Sequence, residues 1–281
     1  MPIWEADFYR RPLQDEMGNS LWELLICDPA DVLRYDAFCP QPQVSVGWLV
    51  GQLQQLVDRQ GAPPEAIRVF RPQAFNLLET ACQKLGIRVE PTRRTPTLKR
   101  WLEARSRTYV TQPNYTGQPY QPVELEKPPP VPLPENLWGE QWRFAALPAG
   151  ELAETFSDRM IPILELPEVL RPLNLGLAST IPIPGIVING GRRSMQLARW
   201  LQQSRPVSLT YMNGAPDGMI LEAGLVDRWI VATFDDVEVA AAAKTYEHRK
   251  QQSKGLHFLL VQPDDSGMTY SGFWLIQSEA V

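Results

Sequence analysis

Two apolar rhythms alternate along the chain. Strand-like runs come first, Ile3–Leu13 and Leu21–Cys27, separated by Asp15-Glu-Met-Gly-Asn-Ser20. Gly18 and Asn19 tolerate positive φ, so the two runs are predicted to fold back as a hairpin. A third extended run, Val32–Cys39, stops at Pro40. The period then lengthens. Within Gly47–Arg59, Trp48, Leu49, Leu53, Leu56 and Val57 share one helical face, and Gly61 stands at the C-cap. Ala66–Phe70 reads as a strand, Gln73–Leu85 as an amphipathic helix, and Ile87–Glu90 as a strand. Thr95-Pro96 caps and opens a third helix, begun by Leu98, Trp101 and Leu102. The predicted order is β-β-β-α-β-α-β-α. That order suits an α/β mixed-sheet domain of ribonuclease-H-like type, with a plain α/β or α+β sandwich as the competing assignment.

The far half repeats the mixture. Trp142–Leu147 and Ile161–Leu166 read as strands, with a short helix Gly150–Asp158 between them. Ile181–Ile188 is apolar but interrupted by proline, which predicts an edge strand or a loop. A helix Arg193–Gln203 follows, then strands in Val207–Met212 and Met219–Thr233. Asp235 or Asp236 caps a long helix reaching about Ser253, and strands Leu256–Val261 and Ser271–Ile276 close the chain. Between the halves, Gln112–Glu135 holds Pro113, Pro119, Pro122, Pro128, Pro129, Pro130, Pro132 and Pro134. So much fixed φ and so few donors exclude a long helix or a central strand. The predicted layout is an α/β domain over 1–111, a semi-rigid proline-rich linker over 112–136, and a second α/β domain over 137–281.

Composition narrows the functional classes. The chain has 281 residues, 44% apolar and 21% charged, enough to bury two modest cores. It contains no run of about 18 uncharged apolar residues, the length a membrane span needs. Met1–Arg11 has neither an apolar signal core nor transit-peptide character, which predicts a cytosolic site of action. Cys27, Cys39 and Cys82 are widely spaced, and His248 and His257 lie far from them, so no structural zinc site and no cofactor is expected.

Charge is unevenly spread. The whole chain carries a net −5, yet Arg88–Arg107 holds seven basic residues against Glu90 and Glu103. Arg93 and Arg94 precede the third helix. Lys99 and Arg100 lie off its Leu98/Trp101/Leu102 face, and Arg105 and Arg107 follow. Tyr109, Tyr115 and Tyr120 come next, in an irregular stretch. A cationic ridge beside aromatic rings is how single-stranded RNA is held, by phosphate neutralisation and base stacking. The competing reading is a solvated helix face. Asn189-Gly-Gly-Arg-Arg-Ser194 is a second candidate, in which loop amides with Arg192 and Arg193 hold a phosphate. The competing reading there is an ordinary strand-to-helix turn.

A two-metal nuclease would need converging carboxylates. Asp7 on the first strand and Asp58 late in the first helix fill at most two such places, and Ala66-Ile-Arg-Val-Phe70 supplies none. Asp7, Asp15, Asp28 and Asp36 are expected in turns and on solvated strand faces. Trp22, Trp48, Trp101, Trp200 and Trp229 are expected in the core.

Several blocks bring a family into view: Trp4-Glu-Ala-Asp-Phe-Tyr-Arg-Arg-Pro-Leu-Gln-Asp15, Leu21-Trp-Glu-Leu-Leu-Ile-Cys-Asp28, Gln112-Pro-Asn-Tyr-Thr-Gly117, Asp227-Arg-Trp-Ile-Val-Ala232 and Gly255-Leu-His-Phe-Leu-Leu-Val-Gln-Pro263. They resemble the Tab/Atab family of RNA-binding translation factors for photosystem subunits, found in chloroplasts and cyanobacteria. The family's near-terminal Trp-Leu-Leu, associated there with function, stands here as Trp274-Leu275-Ile276. The resemblance implies a cyanobacterial, non-enzymatic protein that binds A/U-rich single-stranded 5′ leaders and promotes their translation, with translation-machinery or photosystem-assembly proteins as further partners. Two other classes stay open: a protein-binding assembly scaffold for photosystem biogenesis, and a metal-dependent nuclease.

Overall fold

In the computed structural model, which describes residues 2–157 and 159–278, the chain forms two units, one through Glu126 and one from Lys127. The first comprises β1 (Ile3–Gln14), β2 (Ser20–Cys27), β3 (Arg34–Pro40), α1 (Val46–Gln60), β4 (Ala66–Val69), α2 (Pro72–Lys84), β5 (Arg88–Pro91) and α3 (Pro96–Tyr109). This is the element order expected from the apolar pattern. The sheet runs β3-β2-β1-β4-β5, with β1 to β3 antiparallel and β4 and β5 parallel to β1. Asp15 builds the hairpin turn: its carboxylate accepts from the Met17 and Asn19 amides at 2.9 and 2.8 Å.

Side chains alternate across β1. Trp4, Ala6 and Phe8 pack with Leu24 and Ile26 against Leu49, Leu53 and Leu56 of α1 and Leu78 and Cys82 of α2. On the opposite face, Leu98, Trp101 and Leu102 of α3 pack on Leu25, Cys27 and Phe70, joined by Val123 and Leu125. A strand covered on both faces loses its solvent-facing polar half. The polar residues on that second face are therefore interior: Glu5, Asp7 and Arg11 are all buried. Glu5 caps α3, with Oε2 accepting from the Leu98 amide at 2.8 Å. Burial pushes its pKa up, and the amides of Leu98 and Thr97 with the nearby Arg68 pull against that. The free thiols are inert by the same logic, since burial pushes Cys27 and Cys82 up to about 12 and Cys39 up to about 11.

The proline-rich stretch is divided between the units. Its first part lies along the end of β1: the Gln14 amide donates to Asn114 O at 3.1 Å, and Tyr115 bridges Leu13. Arg71 fastens it further on, donating to Pro122 O at 2.6 Å.

The second unit comprises β6 (Val131–Pro132), β7 (Gln141–Pro148), α4 (Ala149–Ser157), β8 (Ile163–Glu165), β9 (Pro182–Asn189), α5 (Ser194–Ser204), β10 (Pro206–Met212), β11 (Asp217–Ala223), β12 (Asp227–Phe234), α6 (Val237–Gln252), β13 (Leu256–Gln262) and β14 (Gly272–Gln277). Asp158, expected to end the α4 helix, lies outside the described residues. One sheet runs β10-β11-β12-β6 and the other β7-β9-β13-β14-β8. Asp236 caps α6, accepting from the Glu238 and Val239 amides at 2.7 and 3.2 Å.

The proline-interrupted run corrects the sequence reading: β9 is an interior strand, between β7 and β13. Pro182 and Pro184 pair only with β7, and pairing with β13 begins at Gly185. The prolines thus precede the doubly paired stretch, where a missing N–H would cost a ladder bond. Gly185 is required where it stands, because a Cβ there would run into the Phe258 ring.

Strand β10 is a sheet edge whose exposed backbone is closed by side chains. The Leu209 amide donates to His257 Nε2 at 2.9 Å, and Lys250 Nζ donates to Leu209 O at 2.8 Å. The Tyr211 amide donates to Glu247 Oε1 at 2.7 Å. Since His257 Nε2 accepts, its proton sits on Nδ1, which donates to Gly255 O at 2.8 Å. Burial, reinforced by the Lys250 ammonium, drives its pKa down to about 3. Unfolded, the same imidazole takes its proton near 6.5. Between those values the unfolded chain binds the extra proton, so stability falls as pH drops, by about 1.4 kcal/mol per pH unit. Urea unfolding at pH 7 and pH 5 is expected to show this loss, and His257→Gln to flatten it.

Candidate nucleic-acid interface

Helix α3 and the residues just before it carry the cations of the Arg93–Arg107 stretch, which fall into two groups. Arg94, Arg100 and Arg107 are exposed. Arg100 and Arg107 are seven residues apart on one face, roughly 10 Å along the axis, with Glu103 between them. Arg100 is steadied by Thr97 Oγ1, to which its Nη2 donates at 3.2 Å. Lys99 is half-buried, and its Nζ donates to Arg93 O at 2.8 Å.

The other group turns inward. Arg93 is buried, 5% exposed. Arg105 pairs with Glu23 and, at 3.3 Å, with Asp36. Tyr109 is fully buried with its hydroxyl on Glu23, so its ring is not available for base stacking. Arg105 and Tyr109 belong to a buried charge network on the polar face of β1. Glu23 also accepts from Arg11 Nε at 3.0 Å. Asp7 Oδ2 accepts from Arg11 Nη2 at 3.0 Å, and Asp7 Oδ1 from Arg71 Nε at 2.9 Å. Burial works against the charged form of Arg11, but Asp7, with Tyr120, Tyr109 and Glu23, holds it protonated far above the ordinary arginine range. Asp7 is therefore not on a solvated face as expected; it is an internal counter-ion. Arg71 immediately after β4 and Arg11 on β1 itself are the sequence signal, because a carboxylate inside an apolar strand needs a cation in reach.

Past the C-terminal end of α3, two clefts open on the same unit. One, of about 320 Å³, is lined by Arg107, Val110, Tyr115 and Tyr120. The other, of about 430 Å³, is lined by Tyr9, Arg10, Arg11, Arg71 and Tyr120 among others. Tyr115 is half-buried, its hydroxyl donating to Gln118 O at 3.1 Å. Of the residues lining these clefts, the sequence reading singled out Arg107, Tyr115 and Tyr120 and not Tyr9, Arg10, Arg11 or Arg71.

The Gly190-Gly191 loop is not an open phosphate cradle. The amides of Gly190 and Gly191 donate to Gln262 O and Pro263 O at 2.9 and 3.0 Å. Those of Arg193 and Ser194 donate to Gly190 O and Gly191 O. Arg192 and Arg193 are exposed on the second unit. Trp274, Leu275 and Ile276 are all buried in β14, between β13 and β8. Trp274 and Ile276 face one core and Leu275 the other. Of the five tryptophans expected in the core only Trp101 is buried; the other four pack partly exposed against the cores, while Trp4 and Trp274 are fully enclosed. Among the described residues, no group of three or more His, Cys, Asp or Glu is placed to hold a metal ion, and no helix is long and apolar enough to cross a membrane.

The first unit is thus a mixed α/β fold whose third helix exposes Arg100 and Arg107 and whose Asp7 and Glu23 are paired inside, and the second is a two-sheet α/β unit. The chain belongs to the Tab2/Atab2 family of RNA-binding proteins: the family's N-terminal domain matches residues 3–105 and its C-terminal domain residues 120–277. It is 32% identical over 279 residues to "Protein TAB2 homolog, chloroplastic" of Arabidopsis thaliana, covering 97% of this chain and 74% of that protein. It is 30% identical to the protein of the same name from Zea mays, covering 97% and 70%. The catalytic core domain of HTLV-2 integrase in complex with magnesium is similar at 14% identity and a TM-score of 0.27, covering 40% of this chain and 74% of that one, a likeness too slight to bear on function.

Proposed function

We propose that this protein binds A/U-rich single-stranded 5′ leaders of photosystem messages and promotes their translation without catalysing a reaction, in the cytosol of a cyanobacterium. Membership of an RNA-binding family supports the first part. The observation that carries the site is the exposed face of α3 with Arg100 and Arg107, and Arg94 exposed just before the helix. Non-catalysis is supported by the fate of the carboxylates. Both Asp7 oxygens are held by guanidinium groups, Glu23 is held by Arg11, Arg105 and Tyr109, and Asp58 is exposed beside Gln54. A guanidinium on each oxygen already balances the Asp7 charge, and a divalent cation there would meet the positive charges of Arg11 and Arg71.

Anisotropy titration of a labelled A/U-rich strand tests the reading. Arg94→Glu with Arg100→Glu is expected to weaken binding and to flatten the slope of log K against log salt by about 0.7 per lost phosphate contact. The strand stays intact in Mg²⁺ or Mn²⁺. Arg93 is left unchanged because reversing a buried charge would report on folding. A second reading, a protein-binding scaffold, is favoured by an apolar cleft of about 500 Å³ on the second unit, lined by Leu137, Met195 and Trp200. A partner retained after nuclease digestion would support it.

A further inference from the structure

The two clefts of the first unit share Pro12 and Tyr120, and we infer that together they hold two successive nucleotides of an unpaired RNA strand. This site rests on the RNA reading above and extends it from the face of α3 to a defined track. Each cleft falls in the range of about 300–1,000 Å³ that holds small ligands.

Charge sets the orientation. Beneath the second cleft, Arg11 and Arg71 face Asp7 and Glu23, and Arg105, which also meets Glu23, is matched by Asp36, so the network is balanced. The charge offered to a phosphate is therefore that of Arg10 and Arg107, which are exposed in the walls. Glu124 and Glu126 also line the second cleft and turn a phosphate away from their side. The backbone therefore follows the Arg10–Arg107 side. Bases face Gln73, Gln118 and Gln121, whose amides offer both donors and acceptors. The Tyr115 ring is steadied by its bond to Gln118 O, so a base stacking there pays little to order it.

Duplex RNA keeps its bases paired inside the helix, so only unpaired strands can insert them. The walls favour a nucleic acid over a peptide, because they present arginine, tyrosine and glutamine rather than a deep apolar anchor pocket.

The test uses the full chain and a labelled ten-nucleotide A/U strand, with the same sequence as a duplex for comparison. Arg10→Gln with Arg107→Gln is expected to lower affinity at least tenfold and to flatten the salt slope by about 1.4, two contacts at about 0.7 each. Tyr115→Leu is expected to lower affinity roughly 5- to 150-fold with the slope unchanged, the signature of stacking lost without charge lost. The duplex competes poorly. Urea midpoints confirm that each variant is folded. Unchanged affinity and slope in the double arginine variant, while Arg94→Glu with Arg100→Glu still weakens binding, would overturn this track and leave the functional reading standing. A wild-type protein that binds no single strand would remove both. A protein partner lost from the double arginine variant, with RNA binding intact, would reassign the clefts and overturn the proposal.

Discussion

Arg11→Met is expected to destabilise the first unit by about 3–5 kcal/mol, because it strands Asp7 and Glu23 in the interior with one cation fewer. Arg11 is 2% exposed and contacts both carboxylates at 3.0 Å. It also holds the Tyr120 hydroxyl at 2.7 Å, so its loss loosens the segment lying along β1. Arg71 and Arg105 remain, but each reaches only one of the two acids. Arg10, the next residue, is exposed, and Arg10→Met is expected to change stability by no more than about 0.5 kcal/mol. Urea denaturation of the two variants checks this directly. Equal midpoints would mean that the network contributes nothing net.

Trp274→Ala is expected to cost the second unit about 3–5 kcal/mol, the usual range for a large side chain removed from a packed interior. Trp274 is fully buried in β14, which pairs on both sides, and Gly272 lies directly against its ring. The tripeptide is thus expected to act through folding. Thermal unfolding measures the cost. At a temperature where the variant stays folded, RNA affinity is expected to remain within about twofold of wild type, since Arg94, Arg100 and Arg107 stand on the other unit. A folded variant that no longer binds would make the tripeptide a contact.

The fold of the first unit was legible because hydrophobic period, glycine caps and the Asp15 turn all point the same way. Leu49, Leu53 and Leu56 recur at helical spacing and do pack on the sheet. Gly61 does take positive φ at the end of α1. The interior of β9 was hidden because proline is local and pairing is not: nothing near Pro184 says that the partner strand β13 joins only from Gly185. The cations were only partly legible for a related reason. A count of arginines along Arg88–Arg107 cannot tell one that meets Glu23 from one that meets water. That choice is made by β1 and β2, about 80 residues earlier, through which face of the sheet α3 covers. Tyr109 was mis-sorted by the same cause. The tyrosines beyond α3 separate into the buried Tyr109, the clamped Tyr120 and the half-open Tyr115 only once the chain has folded back on β1.

The cap that Glu5 places on α3 carries a practical consequence. The helix has no acid in its own first turn, and Thr95 makes no side-chain cap there. Excised as a synthetic fragment, Pro96–Tyr109 would lose the anion that caps its N-terminus, and its crowded positive charges would repel one another. Any minimal version of this surface must therefore keep the opening strand, although that strand stands some 90 residues away in the chain.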